Sequence, residues 1–410
     1  MGESDGISGR AIESRTDVQS QRRVRFLTGW GLDDWQGDLW PRGGGGFLSF
    51  NWRGKTPVAM KVTQLYIYPV KSLRGIALPS ATVVGTGLQY DRTFMLLRVE
   101  GGETGPRKLS NMHVSRLNEM ALFKTSLVQS SDGDGESLER FTVTYAGPSS
   151  SLPPTSITIP FVPDTENLEM VDVVMYNSPT QAYDMGAEYN SWFSTQFGYE
   201  VVLAYIGNMR RPVLGSLWPS AAQSAVVSAT RSLSRYLSSY LPSSLVAKGD
   251  EWRPPGITFA DIAMFLVVTE ESLAETSSRL PEGMEMDVRK FRPNIVLSGA
   301  EGAWHEDLWG QINIENRDGV EIELALTANC ARCTSINIDY STGKPALGEK
   351  GAMLKKLMPD RRVDKGNKYT PIFGRYGYLG KGAGSNISIG DDVSVVKRLE
   401  EPATFDWKTN

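Results

Sequence analysis

Cysteine and histidine are almost missing from this chain, with two of each in 410 residues. Cys330 and Cys333 are too few for a disulfide framework, so a reducing compartment is the default. A structural zinc site asks for four Cys or His ligands. His113 and His305 are isolated from the cysteine pair and from each other, so zinc held within one chain is not expected. With so few histidines, neither a Ser-His-Asp order nor a second metal cluster is credible. A basic excess is lacking too: 43 Lys and Arg stand against 47 Asp and Glu, a net charge of −4, which gives no reason to expect a nucleic-acid partner. No apolar run approaches the roughly 20 residues that span a bilayer, the longest in a strand-like setting being "IAMFLVV" (262–268). The first residues carry no signal-peptide core, and Glu3, Asp5, Glu13 and Asp17 are out of keeping with a transit peptide. A cytoplasmic location is the expectation; a mitochondrial one has no support in the N-terminus. No G-x-G-x-x-G fingerprint, flavin signature or haem motif is evident.

What is present is strand after strand. Residues 1–59, with "PRGGGGF" and no helical or strand period, read as a disordered extension. From 60 to 205, short segments such as "KVTQLYIYPV", "FMLLRVE" and "RFTVTYAG" alternate with Gly and Pro, while 126–139 reads as an exposed loop. One helix is expected over 187–198, stopped by Gly198. Residues 206–257 form a Ser- and Pro-rich insertion with a packed helix near 224–241. A second β-rich unit spans 258–405, with a capping box at Ser272–Glu275 opening a helix through Leu280. The class is α+β, dominated by strands, with a β-barrel-like second domain.

Both cysteines lie in "TANCARCTSINIDYSTG". Before them Val320, Ile322, Leu324 and Leu326 alternate as on a half-buried strand, and "TSINID" after them reads as strand again. A strand-to-strand connection argues against a redox dithiol, which needs a helix N-terminus to lower its thiol pKa. Two readings stay open: small buried core residues, or a thiolate ligand for a soft metal, favoured by the charge of Arg332 beside Cys333.

Four further clusters place cations on loops beside strands. They hold Lys71 with Ser72, Arg92, Arg292 with Asn294, and Arg375 with Tyr376. Guanidinium binds phosphate in a two-pronged fork, so several such groups on rigid elements suit a phosphate-bearing ligand. His305, beside Glu306 and Asp307, reads as an exposed loop residue; His113 lies on a loop that could reach a substrate mouth.

At these residues the sequence resembles a known family. "LYIYPVKSLRGIALPSATVVGTGLQYDRTFMLL" is similar to the N-terminal β-rich domain of MOSC proteins. "FRPNIVLSGAEGAWHEDLWGQINI" followed by "NCARC" and "NIDYSTG" is similar to the MOSC domain itself. The arrangement resembles the mitochondrial amidoxime reducing component family over roughly residues 61–400, the 207–257 segment excepted. The resemblance implies an N-terminal MOSC-type β domain packed with a C-terminal MOSC domain. It also implies a molybdenum cofactor, molybdenum on molybdopterin, with Cys333 as the protein thiolate on the metal. Lys71, Ser72, Arg92, Arg292, Asn294, Arg332 and Tyr376 match the family's pterin- and phosphate-binding positions. The implied activity is reduction of small N-hydroxylated or N-oxygenated compounds. Electrons would come from a separate donor, in the family a b-type cytochrome fed by an NADH-dependent reductase. The alternative is a non-catalytic cofactor carrier or sulfur-transfer module; nothing here is long enough for the pyridoxal-phosphate module fused to some MOSC domains. The chain departs from the family at Leu73, Ile262-Ala263, Ala331 and "LSNMHVSRL", and a hydrophobic anchor like that of the mitochondrial members is not expected.

Overall fold

The computed structural model describes residues 59–101, 106–128, 139–147, 153–219 and 256–407, all within one compact unit. The extension expected before residue 59, the helix expected over 224–241 and most of the loop 126–139 lie outside the described residues.

Period-two burial builds a closed barrel. Its strands are β1 (Met60–Ile67), β2 (Phe265–Thr269), β3 (Ile295–Ser298), β4 (Trp309–Glu315), β5 (Glu321–Ala331), β6 (Ile372–Lys381) and β7 (Asp392–Arg398). Around the barrel the order is β1, β3, β2, β6, β5, β4, β7, and β7 pairs back to β1. Every pair is antiparallel except β2–β3, which needs a crossover and uses the helix Glu270–Ser278. Leu65, Ile67, Val267, Ile295, Ile312 and Leu324 are wholly buried in one core cluster. Each such side chain contributes about 1.5–3 kcal/mol on burial. Closure leaves no barrel edge to aggregate. The first described strand thus completes a barrel whose other members all come from beyond residue 264.

A five-stranded antiparallel sheet packs beside it. Its order is Met170–Met175, Ser178–Asp184, Val201–Tyr205, Phe94–Glu100, Lys108–Asn111. A three-stranded meander, Phe123–Leu127, Arg140–Tyr145 and Thr155–Pro160, adds Phe123, Phe141 and Ile159 to the barrel's core. The helix Ala187–Phe197 ends at Gly198, whose φ of 75° is the left-handed geometry that glycine adopts freely.

Two local expectations change. The helix expected to open at Ser272 opens at Glu270, because Thr269 is its cap and accepts from the Ser272 amide at 3.2 Å. Ser272 lies inside the first turn, where its hydroxyl is free to reach Glu306 at 2.8 Å, and the helix ends at Ser278 rather than Leu280. The stretch after the cysteines, read as strand, is a 3-10 turn (Thr334–Asn337) followed by only two strand residues, Ile338–Asp339. The cause lies in β5, where the register against β6 slips between Leu326 and Ala328 and again between Asn329 and Ala331. Bulges of this kind re-aim side chains and end pairing.

Candidate functional site

Main-chain hydrogen bonds lay several loops side by side at one end of the barrel. The turn after β1 is stitched to the segment before Phe94: Arg92 N donates to Tyr68 O at 2.8 Å, Phe94 N to Pro69 O at 2.9 Å, and Lys71 N to Phe94 O at 2.8 Å. Residue 259 joins them, its amide donating to Arg92 O at 2.9 Å. Asn294 ties β1 to β2, donating from Nδ2 to Tyr66 O at 3.2 Å and accepting from the Leu266 amide at 3.1 Å. The same oxygen takes Nη1 of Arg92 at 3.1 Å. At Gly374, φ is 84° and a Cβ would lie 2.7 Å from Val268, so only glycine lets β6 pass β2 this closely and carry Tyr376 to the site.

Cys333 and the seven residues matched to the family's pterin- and phosphate-binding positions line a single cleft of about 750 Å³, open mouth included. Ser72, Arg92 and Arg292, with φ of 68°, 52° and 58°, are left-handed although none is glycine. Such strain gathers where surrounding structure fixes side chains for a task. Tyr68 lies beneath two of them: the guanidinium carbons of Arg92 and Arg292 are 4.7 and 4.3 Å from its ring centroid. A π face offsets part of the cost of holding two like charges together.

The cysteines behave differently. Cys330 is buried, and burial pushes its thiol upward although Arg332 and Tyr376 both pull the other way. Arg332 donates to the Cys330 sulfur at 2.7 Å, so its guanidinium turns to the first cysteine rather than to Cys333, against the expectation from sequence adjacency. Cys333 is exposed to the cleft, its sulfur 3.1 Å from the Ser335 hydroxyl. The core-residue reading therefore fits Cys330 alone, and Cys333 is the accessible sulfur.

Three neighbours were not anticipated. Asp261 accepts a hydrogen bond from the Lys71 ammonium and another from the Tyr176 hydroxyl at 3.3 Å. Burial lowers the Lys71 pKa to about 8, with Asp261 pulling the other way. Burial by itself would raise the Asp261 carboxyl; Lys71, His113 and Arg92 overcome this and hold it below the usual carboxylate range. Its side chain is 48% exposed, so water screens this coupling and the ion pair contributes little net stability. Arg211 is wholly buried, makes no ion pair among the described residues, and donates to Met175 O at 3.0 Å and to Ala260 O at 2.5 Å. Those carbonyls directly precede Tyr176 and Asp261, so one guanidinium positions both. The only sequence signal for Asp261 is a carboxylate amid the apolar "FADIAMF"; nothing flags Tyr176 or Arg211.

His113 also lines the cleft, and burial with the nearby Lys71 lowers its pKa to about 4, so the ring is neutral at pH 7. His305 is at the surface against Glu301 at 3.1 Å. Arg375 points away from the cleft into the barrel, where it donates to Asn329 and to the carbonyls of Leu326 and Trp309.

The cleft is short of negative charge. Among the described residues, Lys71, Arg92, Arg292 and Arg332 are answered only by Asp91 and Asp261. Nη2 of Arg292 and Nε of Arg332 are buried donors without acceptors that line the cleft. Buried donors without partners cost about 1–3 kcal/mol each, and a polyanionic ligand would satisfy them. A phosphate-bearing pterin with a metal that needs one more thiolate fits these residues. Among the described residues no three His, Cys, Asp or Glu gather to hold a metal ion, so a metal here has to bring its other ligands with it.

Comparison with known proteins agrees with this geometry. Residues 59–200 match the MOSC N-terminal beta barrel domain, and residues 254–394 match the MOSC domain. Mitochondrial amidoxime-reducing component 1 of Mus musculus is 26% identical over 81% of this chain and 81% of its own length. Mitochondrial amidoxime reducing component 2 of Macaca fascicularis is 23% identical over 95% of this chain and 98% of its own. Molybdenum cofactor sulfurase of Oryza sativa subsp. japonica is 25% identical over 68% of this chain but only 28% of its own length. These relatives point to association with a molybdenum cofactor. By its two matched domains and by the order of its motifs, the chain belongs to the MOSC proteins that carry the MOSC N-terminal barrel, the group of the mitochondrial amidoxime-reducing components.

Proposed function

We propose that this protein is a molybdenum-cofactor-dependent reductase of small N-hydroxylated or N-oxygenated compounds, fed by a separate electron donor. The observation that carries the reading is the pairing, in one cleft, of an accessible thiol at Cys333 with buried guanidinium donors that have no acceptor. Cys333 would hold the metal. Arg92, Arg292 and Arg332 would receive the pterin and its phosphate through charge-assisted hydrogen bonds. Lys71 and Ser72 close the same side, while Asn294 acts through Arg92, its amide being committed to the protein. Tyr376 stands beside Cys330 and walls the pocket. When bound, the cofactor supplies the two-electron chemistry that removes oxygen from an N–O group. Electrons then have to come from outside, and a b-type cytochrome with its NADH-dependent reductase is the partner class proposed. The names of the relatives support amidoximes as the substrate class.

The test is molybdenum per chain, with benzamidoxime reduction under a viologen donor, on wild type and Cys333→Ser. One molybdenum per wild-type chain, with metal and turnover both lost in the variant, supports the reading. Metal without turnover would favour the cofactor carrier or sulfur-transfer module. A chain that takes up no molybdenum would sink both.

A further inference from the structure

We infer that His113 and Tyr176 form the substrate-recognition wall of the cleft, selecting N-hydroxylated compounds whose N–O group is conjugated to a flat π system over aliphatic ones. The inference rests on the reductase reading and adds which member of the substrate class the site prefers.

Tyr176 is a fixed aromatic surface. It is the first residue of the two-residue hairpin turn joining Met170–Met175 to Ser178–Asp184, and its φ of 51°, with 62° at Asn177, is the geometry such a turn requires. Three further groups hold it in place. Trp407 donates from its indole nitrogen to Tyr176 O at 2.8 Å, Arg211 donates to the preceding carbonyl of Met175 at 3.0 Å, and Asp261 accepts a hydrogen bond from the Tyr176 hydroxyl at 3.3 Å. Because the hydroxyl is committed to Asp261, the ring itself is what Tyr176 offers a ligand. Its centroid is 6.0 Å from that of His113, with the planes inclined at 45°.

His113 contributes what Tyr176 cannot. Its carbonyl accepts from the amides of Arg116 and Leu117, both at 2.9 Å, which fixes the backbone. Its imidazole makes no hydrogen bond among the described residues, so one ring nitrogen can meet a substrate N–OH. The loop is also held to the cysteine turn, with Thr334 Oγ1 donating to Ser115 O at 3.4 Å. The wall therefore stands beside Cys333, where a substrate oxygen has to arrive. At 6.0 Å and 45° the two rings are too close to admit a third between them, so a planar ligand that lies against the face of one meets the other at a tilt.

The experiment compares benzamidoxime with acetamidoxime. Dissociation constants are measured by calorimetry on the full chain as isolated, without reductant, with molybdenum content measured in parallel. KM values follow with a viologen donor. Wild type should bind benzamidoxime about 3- to 10-fold more tightly per contributing ring than acetamidoxime. His113→Ala and Tyr176→Leu should each move that ratio toward one in both Kd and KM. Tyr176→Phe, which keeps the ring and loses only the bond to Asp261, should retain the preference, and it also serves if Tyr176→Leu fails to fold. Equal binding of the two compounds by wild type would overturn the inference. So would a preference that survives His113→Ala together with loss of the ring. Aromatic preference in binding with no turnover of either compound would sink the reductase reading and leave the wall standing.

Discussion

Two groups of buried charge in this molecule invite comparison. In the cleft, cations outnumber carboxylates, and the buried atoms left without partners are donors: Arg292 Nη2 and Arg332 Nε. At the other group, around Glu306 and Asp307, charges answer one another. Arg361 meets Asp307 at 2.7 Å with both side chains buried, and Asn329 links Arg375 to Asp364. Glu306 accepts from Ser272 at 2.8 Å and Thr269 at 3.2 Å. What is left over there has both signs, two carboxylate oxygens on Glu306 and Asp307 against N–H groups on Arg375 and Trp309. The structural network is left with unpaired donors and acceptors alike, whereas the cleft is left with donors alone, the imbalance that an anionic ligand corrects.

The sharpest way to break this comparison is to remove one cation from each group. Arg361→Ala leaves Asp307 buried without its ion partner and should cost about 3–5 kcal/mol in urea unfolding. A loss near zero would mean that the Arg361–Asp307 pair does not hold this network together.

Next in size is a pH effect. Burial raises the Glu306 carboxyl from 4.5 to about 7, so between these values the folded protein holds a proton that the unfolded chain has released. Stability from this group is therefore full below about pH 4.5 and falls as pH rises towards 7, at up to about 1.4 kcal/mol per pH unit. Glu306→Gln should flatten that slope in denaturant melts taken across the same window.

Arg292→Met should cost the cofactor-free protein about 1 kcal/mol or less, because it forfeits one hydrogen bond to Leu73 O and removes a buried charge that had no acid partner. The same variant should lose most of its molybdenum, read by elemental analysis. Strong destabilisation with cofactor retained would reverse the assignment of the two groups. Smallest of all, His305→Ala removes an exposed pair with Glu301 and should shift stability by less than about 0.5 kcal/mol.

Much of the site was legible in the sequence because its chemistry sits on loops with distinctive residues. Lys71 and Ser72 follow a strand-ending proline, Arg292 and Asn294 flank one, and the cysteines close a clear period-two strand. Asp261, Tyr176 and Arg211 escaped it, since one carboxylate in an apolar run, a tyrosine on a strand end and an arginine beside a proline have no local pattern. Their roles come from contacts across the fold: Arg211 reaches two carbonyls that lie 36 and 49 residues away in the chain.

By itself the sequence determined the strand-rich class, the helix that stops at Gly198, the basic loops and the cysteine pair, because periodicity and turn residues act over a few neighbours. Tertiary structure decided which cysteine is available. Adjacency suggests that Arg332 serves Cys333, but a slipped register at the end of β5 turns its guanidinium to Cys330, buries that sulfur and leaves Cys333 facing the cleft. Barrel closure was decided in the same way, since β1 finds partners more than 200 residues away only when the twisted sheet curls round to meet it.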